Sequence, residues 1–146
     1  MTRLALYQPD MAGNVGAIMR LCACMGVALD IIEPCGFPWN ERKIRSSALD
    51  YLTEVNYMRH DNWDKFTDVN KDKRIVLMTT KSDMPYTNFE FRADDILLAG
   101  SESSGVPQDV HDTVDAHVTI PMHGAMRSLN IGMACAMVLG EVRRQL

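Results

Sequence analysis

The sequence predicts a single α/β domain, residues 1–146, built on a parallel β-sheet with helices on both faces. Three observations carry this. Short apolar runs such as Leu4-Ala5-Leu6-Tyr7 and Ile96-Leu97-Leu98-Ala99 are too short for helices and end at turn-forming residues. Between them lie segments with apolar residues at helical spacing, and strands alternating with helices at this pitch imply a parallel sheet. The chain has 146 residues, of which 47% are hydrophobic, enough for one substantial core.

In chain order, Leu4–Tyr7 reads as a first buried strand closed by Gln8-Pro9. A helix follows with Asn14 as its expected N-cap, an apolar stripe at Val15, Ile18, Cys22 and Met25, and Gly26 as its left-handed stop. Arg20 lies well off that stripe. Gly13-Asn14-Val15-Gly16 also resembles the GXXG loop of a KH module, a match of only four residues. Ala28–Glu33 is a second strand, and an aromatic loop, Cys35-Gly36-Phe37-Pro38-Trp39, precedes an amphipathic helix over 41–52. That helix turns Ile44, Ala48 and Leu52 inward and its basic residues outward. A strand at 54–58, a helix over 63–69 and a strand at 74–78 come next. Ile96–Ala99 and Val118–Ile120 are two further strands separated by a helix over 107–114. The last helix is expected to open at Ser128; it is apolar nearly all round and rich in small residues. A helix apolar on all sides must be covered on all sides, by an enclosed position or by a second subunit.

Function is expected where strands end in small polar loops, because open α/β sheets bind ligands outside the carboxyl ends of their strands. Two such loops are Gly100-Ser101-Glu102-Ser103-Ser104-Gly105 and Met122-His123-Gly124-Ala125-Met126-Arg127. The first has the glycine spacing of a P-loop, but Val106-Pro107 stands where Lys-Ser/Thr is required, so a nucleoside triphosphate has no partner there. Glu102 occupies the position of a nucleophile-elbow serine, and no Gly-x-Gly-x-x-Gly occurs. The four cysteines form no C-x-x-C pair, and the four histidines have no helical pairing, so no metal is expected. A net charge of −4 argues against strong non-specific nucleic-acid binding, although Arg42, Lys43 and Arg45 form a local basic face. No apolar run reaches the length of a membrane span, no secretory leader is apparent, and a cytoplasmic location is expected.

Three separated motifs carry a resemblance. They are Asn14-Val15-Gly16 with Arg20, then Gly100–Pro107, then Ile120-Pro121-Met122 with Ser128-Leu129-Asn130. In this order and spacing the chain resembles the SpoU branch of the SPOUT methyltransferases. Ile32-Glu33-Pro34, Gly36-Phe37 and Leu49-Asp50-Tyr51 bring it nearest to the short members that methylate the ribose 2′-hydroxyl of the tRNA wobble nucleotide. The resemblance spans nearly the whole chain. It departs at Ala12, where proline is common, and at Ser104, where arginine is common.

The resemblance implies a C-terminal trefoil knot, a homodimer, and S-adenosylmethionine as cofactor. It places cofactor-binding positions at Met78, Thr79, Gly100, Glu102, Gly105, Ile120, Met122, Ser128, Leu129 and Asn130. Gly100 is expected to be glycine because backbone approaches the ligand there. The tRNA anticodon loop, with cytidine or carboxymethylaminomethyluridine at position 34, is the implied substrate, met by Asn14, Arg20, Arg42 and Lys43. Arg20 is the implied catalytic residue. Two roles are open to it: proton acceptor, for which a guanidinium is poorly suited, or a grip on the target phosphate that eases loss of the hydroxyl proton. Glu102 is a second candidate for orienting groups. Other readings are a SpoU-type enzyme acting on another tRNA or ribosomal RNA site, and a non-catalytic RNA- or nucleotide-binding module. The final helix is the expected dimer surface, with the helix bearing Asn14 and Arg20 as its natural partner.

Overall fold

The structure, a computed structural model, describes residues 1–146. Six parallel strands form one sheet: β1 (Arg3–Tyr7), β2 (Ala28–Ile32), β3 (Tyr57–His60), β4 (Ile75–Met78), β5 (Ile96–Ala99) and β6 (Ala116–Val118), in the order β3-β2-β1-β5-β4-β6. Four α-helices lie between strands, α1 (Ala12–Met25), α2 (Glu41–Ala48), α3 (Trp63–Val69) and α4 (Gln108–Thr113), and a fifth, α5 (Ile131–Gln145), follows β6.

Alternation along each strand divides the core in two. Leu4, Leu6, Leu97 and Ala99 face a cluster that also contains Ile18 and Cys22 of α1, Ile44 of α2 and Val138 of α5. Ala5, Tyr7, Ile96 and Leu98 face the opposite cluster with Phe66 of α3 and Val110 of α4. The predicted helices on both faces are therefore present, with α1, α2 and α5 on one side and α3 and α4 on the other.

Close approach of α1 to α2 depends on Gly16. A Cβ there would lie 2.5 Å from the Ile44 carbonyl oxygen and 2.6 Å from Ser47 Cβ. Gly26 closes α1 in the left-handed conformation, φ 65°, and donates to the Ala23 carbonyl. Two buried carboxylates are tied to arginine forks. Asp30 accepts two bonds from Arg3 and lies 2.8 Å from His60 Nε2, and Asp95 accepts two bonds from Arg74 and one from the Arg92 N–H.

Several expected boundaries shift. Asn14 is not an N-cap: α1 begins two residues earlier, at Ala12, which frees the Asn14 amide for longer-range bonds. The 41–52 helix breaks at Leu49, φ 54°, and continues as a 3-10 turn to Thr53, with Ile44, Ala48 and Leu52 buried as expected. The third strand lies at Tyr57–His60, where β2 sets its register, not at 54–58. The sixth strand ends at Val118, because Thr119 leaves β4 and exchanges backbone bonds with Met84 and Tyr86. The last helix opens at Ile131, not at Ser128, since Asn130 caps it. Nor is α5 enclosed within the subunit: Met133 and Met137 are 64% and 40% exposed.

Candidate active site

β5, β4 and β6 lie side by side and end at Ala99, Met78 and Val118, so the segments that follow them emerge at one edge of the sheet. They enclose a cavity of about 640 Å3, within the usual range for a small-molecule site. Met78–Lys81 form one wall, Gly100–Val106 a second, and Thr119–Ile120 with Met122 and Arg127–Asn130 a third, while Ile131, Ala134 and Val138 of α5 complete it. All ten positions expected to hold a cofactor line this cavity: Met78, Thr79, Gly100, Glu102, Gly105, Ile120, Met122, Ser128, Leu129 and Asn130.

The Gly100–Gly105 loop closes on itself. Ser101 N–H donates to the Gly105 carbonyl at 3.0 Å, Gly105 N–H donates back at 2.9 Å, and the Ser101 and Ser104 hydroxyls meet at 2.9 Å. Gly105 takes φ +65°, a conformation open to glycine. The loop itself already requires glycine at Gly100: a Cβ there would lie 2.6 Å from the Gly105 carbonyl carbon. What excludes a side chain is the other end of the loop, before any ligand is considered.

A polar chain joins this loop to the two other motifs. Glu102 Oε1 accepts from Asn14 Nδ2 at 2.9 Å, and Oε2 accepts from the Asp10 N–H at 3.1 Å. An ionised carboxylate only accepts, so the Asn14 amide must present its nitrogen to Glu102 and its oxygen to Asn130. Asn130 Nδ2 donates to that oxygen at 3.4 Å, and Asn130 Oδ1 accepts from Gly132 and Met133 N–H at the start of α5. On the far side of the loop, Ser103, through its hydroxyl and its N–H, holds the Asp10 carboxyl below the usual carboxylate range. Sequence reasoning named Asn14, Glu102 and Asn130 separately; their direct linkage, and the part of Asp10, had no local signal.

The residues present suit an adenosyl ligand. Met78, Ile120 and Leu129 offer apolar surface to a purine, and Thr79 and exposed loop backbone offer partners for polar groups. His111 also borders the cavity, and its Nε2 is the one buried side-chain nitrogen or oxygen without a hydrogen-bond partner. No cluster of His, Cys, Asp and Glu could hold a metal ion, and no helix is long and apolar enough to cross a membrane.

The expected RNA-facing residues are not all gathered here. Asn14 lines the cavity, but Arg20 does not. Arg20 is exposed on α1, with its guanidinium 5.4 Å from the ring centroid of Tyr51. Arg42 and Lys43 are exposed on α2, likewise outside the cavity.

The sequence pattern of the SpoU rRNA Methylase family matches residues 1–140. A tRNA (cytidine(34)-2′-O)-methyltransferase from Beijerinckia indica is 52% identical over 144 residues, covering 97% of this chain and 90% of the relative. A solved structure described as giving structural insights into the 2-OH methylation of C/U34 on tRNA superimposes with a TM-score of 0.94 at 33% identity, covering 99% of this chain and 95% of that one. The SpoU methyltransferase AviRb from Streptomyces viridochromogenes, solved in complex with AdoMet, shares the fold at a TM-score of 0.89 and 24% identity; it covers 99% of this chain and 60% of its own. Matched by the family pattern over residues 1–140 and by a curated relative across nearly the full length of both chains, this chain belongs to the SpoU rRNA Methylase family.

Proposed function

We propose that this chain is an S-adenosylmethionine-dependent tRNA methyltransferase, a single domain over residues 1–146, that methylates the ribose 2′-hydroxyl of wobble nucleotide 34 in the cytoplasm. One observation carries the reading: Asn14 and the two loop motifs, far apart in sequence, border one cavity of about 640 Å3, in a chain 52% identical to a tRNA (cytidine(34)-2′-O)-methyltransferase. The cofactor, when bound, supplies a methyl carbon activated by a sulfonium. The protein aligns the ribose hydroxyl with that carbon, and such alignment is worth roughly 7–11 kcal/mol. Met78, Gly100, Glu102, Ile120 and Ser128–Asn130 form the cofactor-facing wall, and Asn14 ties that wall to α1. Incubation with labelled cofactor and unmodified tRNA should place the label on O2′ of nucleotide 34. Label elsewhere in the RNA would assign another target, and cofactor binding without transfer would leave a binding module.

Arg20 is the proposed catalytic residue. A guanidinium is poorly suited to accept a proton, so the role proposed for Arg20 is to hold phosphate and to stabilise negative charge as the hydroxyl loses its proton. Arg20 lies outside its own chain's cavity, and α5 carries an uncovered apolar face at Met133 and Met137. Both features support a homodimer in which Arg20 of the partner subunit completes each site. Arg20→Ala should lower turnover by about a hundredfold, roughly 2.7 kcal/mol, with cofactor affinity unchanged. Mixing Arg20→Ala chains with Gly100→Val chains, each inactive alone, should restore about a quarter of wild-type activity, since half the dimers would hold one intact site of two. No recovery would confine each site to one chain.

The proposal includes a C-terminal trefoil knot. Supporting it, the segment after β4 passes over the end of β6 through Met84, Tyr86 and Thr119, and Gln145 is bonded to Phe89 and Phe91. An experimental chain trace that straightens when drawn out from its ends would refute it.

A further inference from the structure

The cations bordering the cavity carry no counter-charge of their own. Apart from His111, three charged side chains are present: Lys81, Glu102 and Arg127. Both oxygens of Glu102 are engaged, by Asn14 and by the Asp10 N–H. Lys81 and Arg127 are exposed, and neither side chain has a hydrogen bond or an ion pair. Four other arginines offer a contrast, whereas Arg20, Arg42, Arg45 and Arg92 are, like Arg127, without a carboxylate partner. Arg3, Arg59, Arg74 and Arg144 are each forked onto a carboxylate and cannot take a second anion without giving up the first. What sets Lys81 and Arg127 apart from the other unpaired cations is that both border the same cavity, where together they offer two free donors to anionic oxygen.

Their positions narrow the choice of anion. Lys81 follows β4 by three residues and its N–H is fixed by Thr79 Oγ1 at 3.1 Å; Arg127 immediately precedes Ser128 on a different wall. An anion chain entering between these walls meets one cation from each. A polynucleotide presents such a chain, with a phosphate on either side of every ribose, whereas a free cofactor presents a single carboxylate.

We propose that Lys81 and Arg127 are positioning residues that take the two phosphates flanking the target nucleotide, so that its ribose is held over the cavity. This rests on the RNA methyltransferase reading above and extends the RNA-facing set of Asn14, Arg20, Arg42 and Lys43. Each grip on a phosphate of a single-stranded loop releases bound counterion, so binding must weaken with salt at a slope set by the number of phosphates held.

The test measures fluorescence anisotropy of a labelled anticodon stem-loop carrying cytidine at position 34, titrated with wild type, Lys81→Ala, Arg127→Ala and the double variant between 50 and 300 mM salt. Each single variant should bind several-fold more weakly at low salt, with a log–log slope shallower by about 0.7, and the double variant by about 1.4. Thermal midpoints and calorimetric affinity for S-adenosylhomocysteine should stay at wild-type values; Lys81→Gln and Arg127→Gln should repeat the slopes and replace any alanine variant that melts early. Wild-type slopes in the variants would overturn the proposal. So would unchanged slopes combined with weakened S-adenosylhomocysteine binding, which would give the cations to the cofactor carboxylate. A wild-type protein that neither binds nor methylates the stem-loop would instead remove the RNA reading itself.

Discussion

Gly100→Ala is the most direct probe of the cavity wall, because its effect can be worked from one contact. Gly100 does not take a positive φ, so alanine meets no intrinsic backbone strain there. The obstacle is steric. The new Cβ would stand 2.6 and 2.7 Å from two Gly105 backbone atoms and 3.0 Å from a third, and backbone cannot swing aside as a long side chain can. Ordinary contact begins near 3.4 Å, so the far side of the loop must retreat by about 0.8 Å. That retreat opposes the two bonds between Ser101 and Gly105, at 3.0 and 2.9 Å. Losing both costs about 1–3 kcal/mol, equivalent to roughly 3–10 °C in the melting temperature of a domain this size. The Glu102 carboxylate would move with the loop, and with it the link to Asn14. Differential scanning calorimetry should therefore show an earlier transition, and titration with S-adenosylhomocysteine a weaker affinity. A variant that melts within a degree of wild type and binds equally well would show that the loop has slack the geometry does not suggest.

Two other outcomes test the packing behind the site. Gly16→Ala should destabilise by about 1–3 kcal/mol in urea unfolding, although alanine is the better helix former by about 1 kcal/mol, because its Cβ would press on the Ile44 carbonyl oxygen at 2.5 Å; equal or greater stability would mean that α1 and α2 separate freely. Burial pushes the thiols of Cys22 and Cys35 up to about 12 and about 11 and raises that of Cys135 further, whereas Cys24 is exposed on α1. Iodoacetamide at pH 8 should add one label per native chain, at Cys24, by mass spectrometry, and rapid labelling of Cys135 would contradict the buried α1–α5 contact.

The parts of the fold legible in the sequence are those fixed by local chemistry. Ile96–Ala99 and Trp63–Val69 were expected at the observed bounds, since an apolar run or an Asn-led amphipathic segment carries its own limits. Gly26 announced the end of α1 for the same reason. Two of the errors occur where a distant partner decides, whereas the start of α5 was missed although its cap, Asn130, is local. Tyr57–His60 is paired by register with Leu29–Ile32, and its exposed Met58 and Arg59 leave no alternation to read. Thr119 looks like strand but is drawn away by Met84 and Tyr86, which precede it by more than thirty residues. The site follows the same division. Its loops were legible as small polar segments after buried strands, and all ten expected cofactor positions meet in one cavity. That Asn14 reaches Glu102 and Asn130, and that Arg20 rests on Tyr51, depends on packing that no spacing encodes.

The Asn14–Glu102–Asn130 chain explains why those three residues belong together physically. Its hydrogen-bond sense is fixed from both ends, because the Glu102 carboxylate can only accept and the first N–H groups of α5 can only donate. Replacing Glu102 by glutamine would let the 102 side chain and the Asn14 amide turn over, while Asn130 stays oriented by the Gly132 and Met133 N–H groups. One chain of bonds thus links the cavity wall, the first turn of α1 and the start of the final helix. Arg20 lies on α1 with that chain near its first turn, so a force that moves the 100–105 loop acts on the helix bearing the proposed catalytic guanidinium. In a dimer joined through α1 and α5, the same chain would couple cofactor binding in one subunit to the placement of Arg20 in the site of the other.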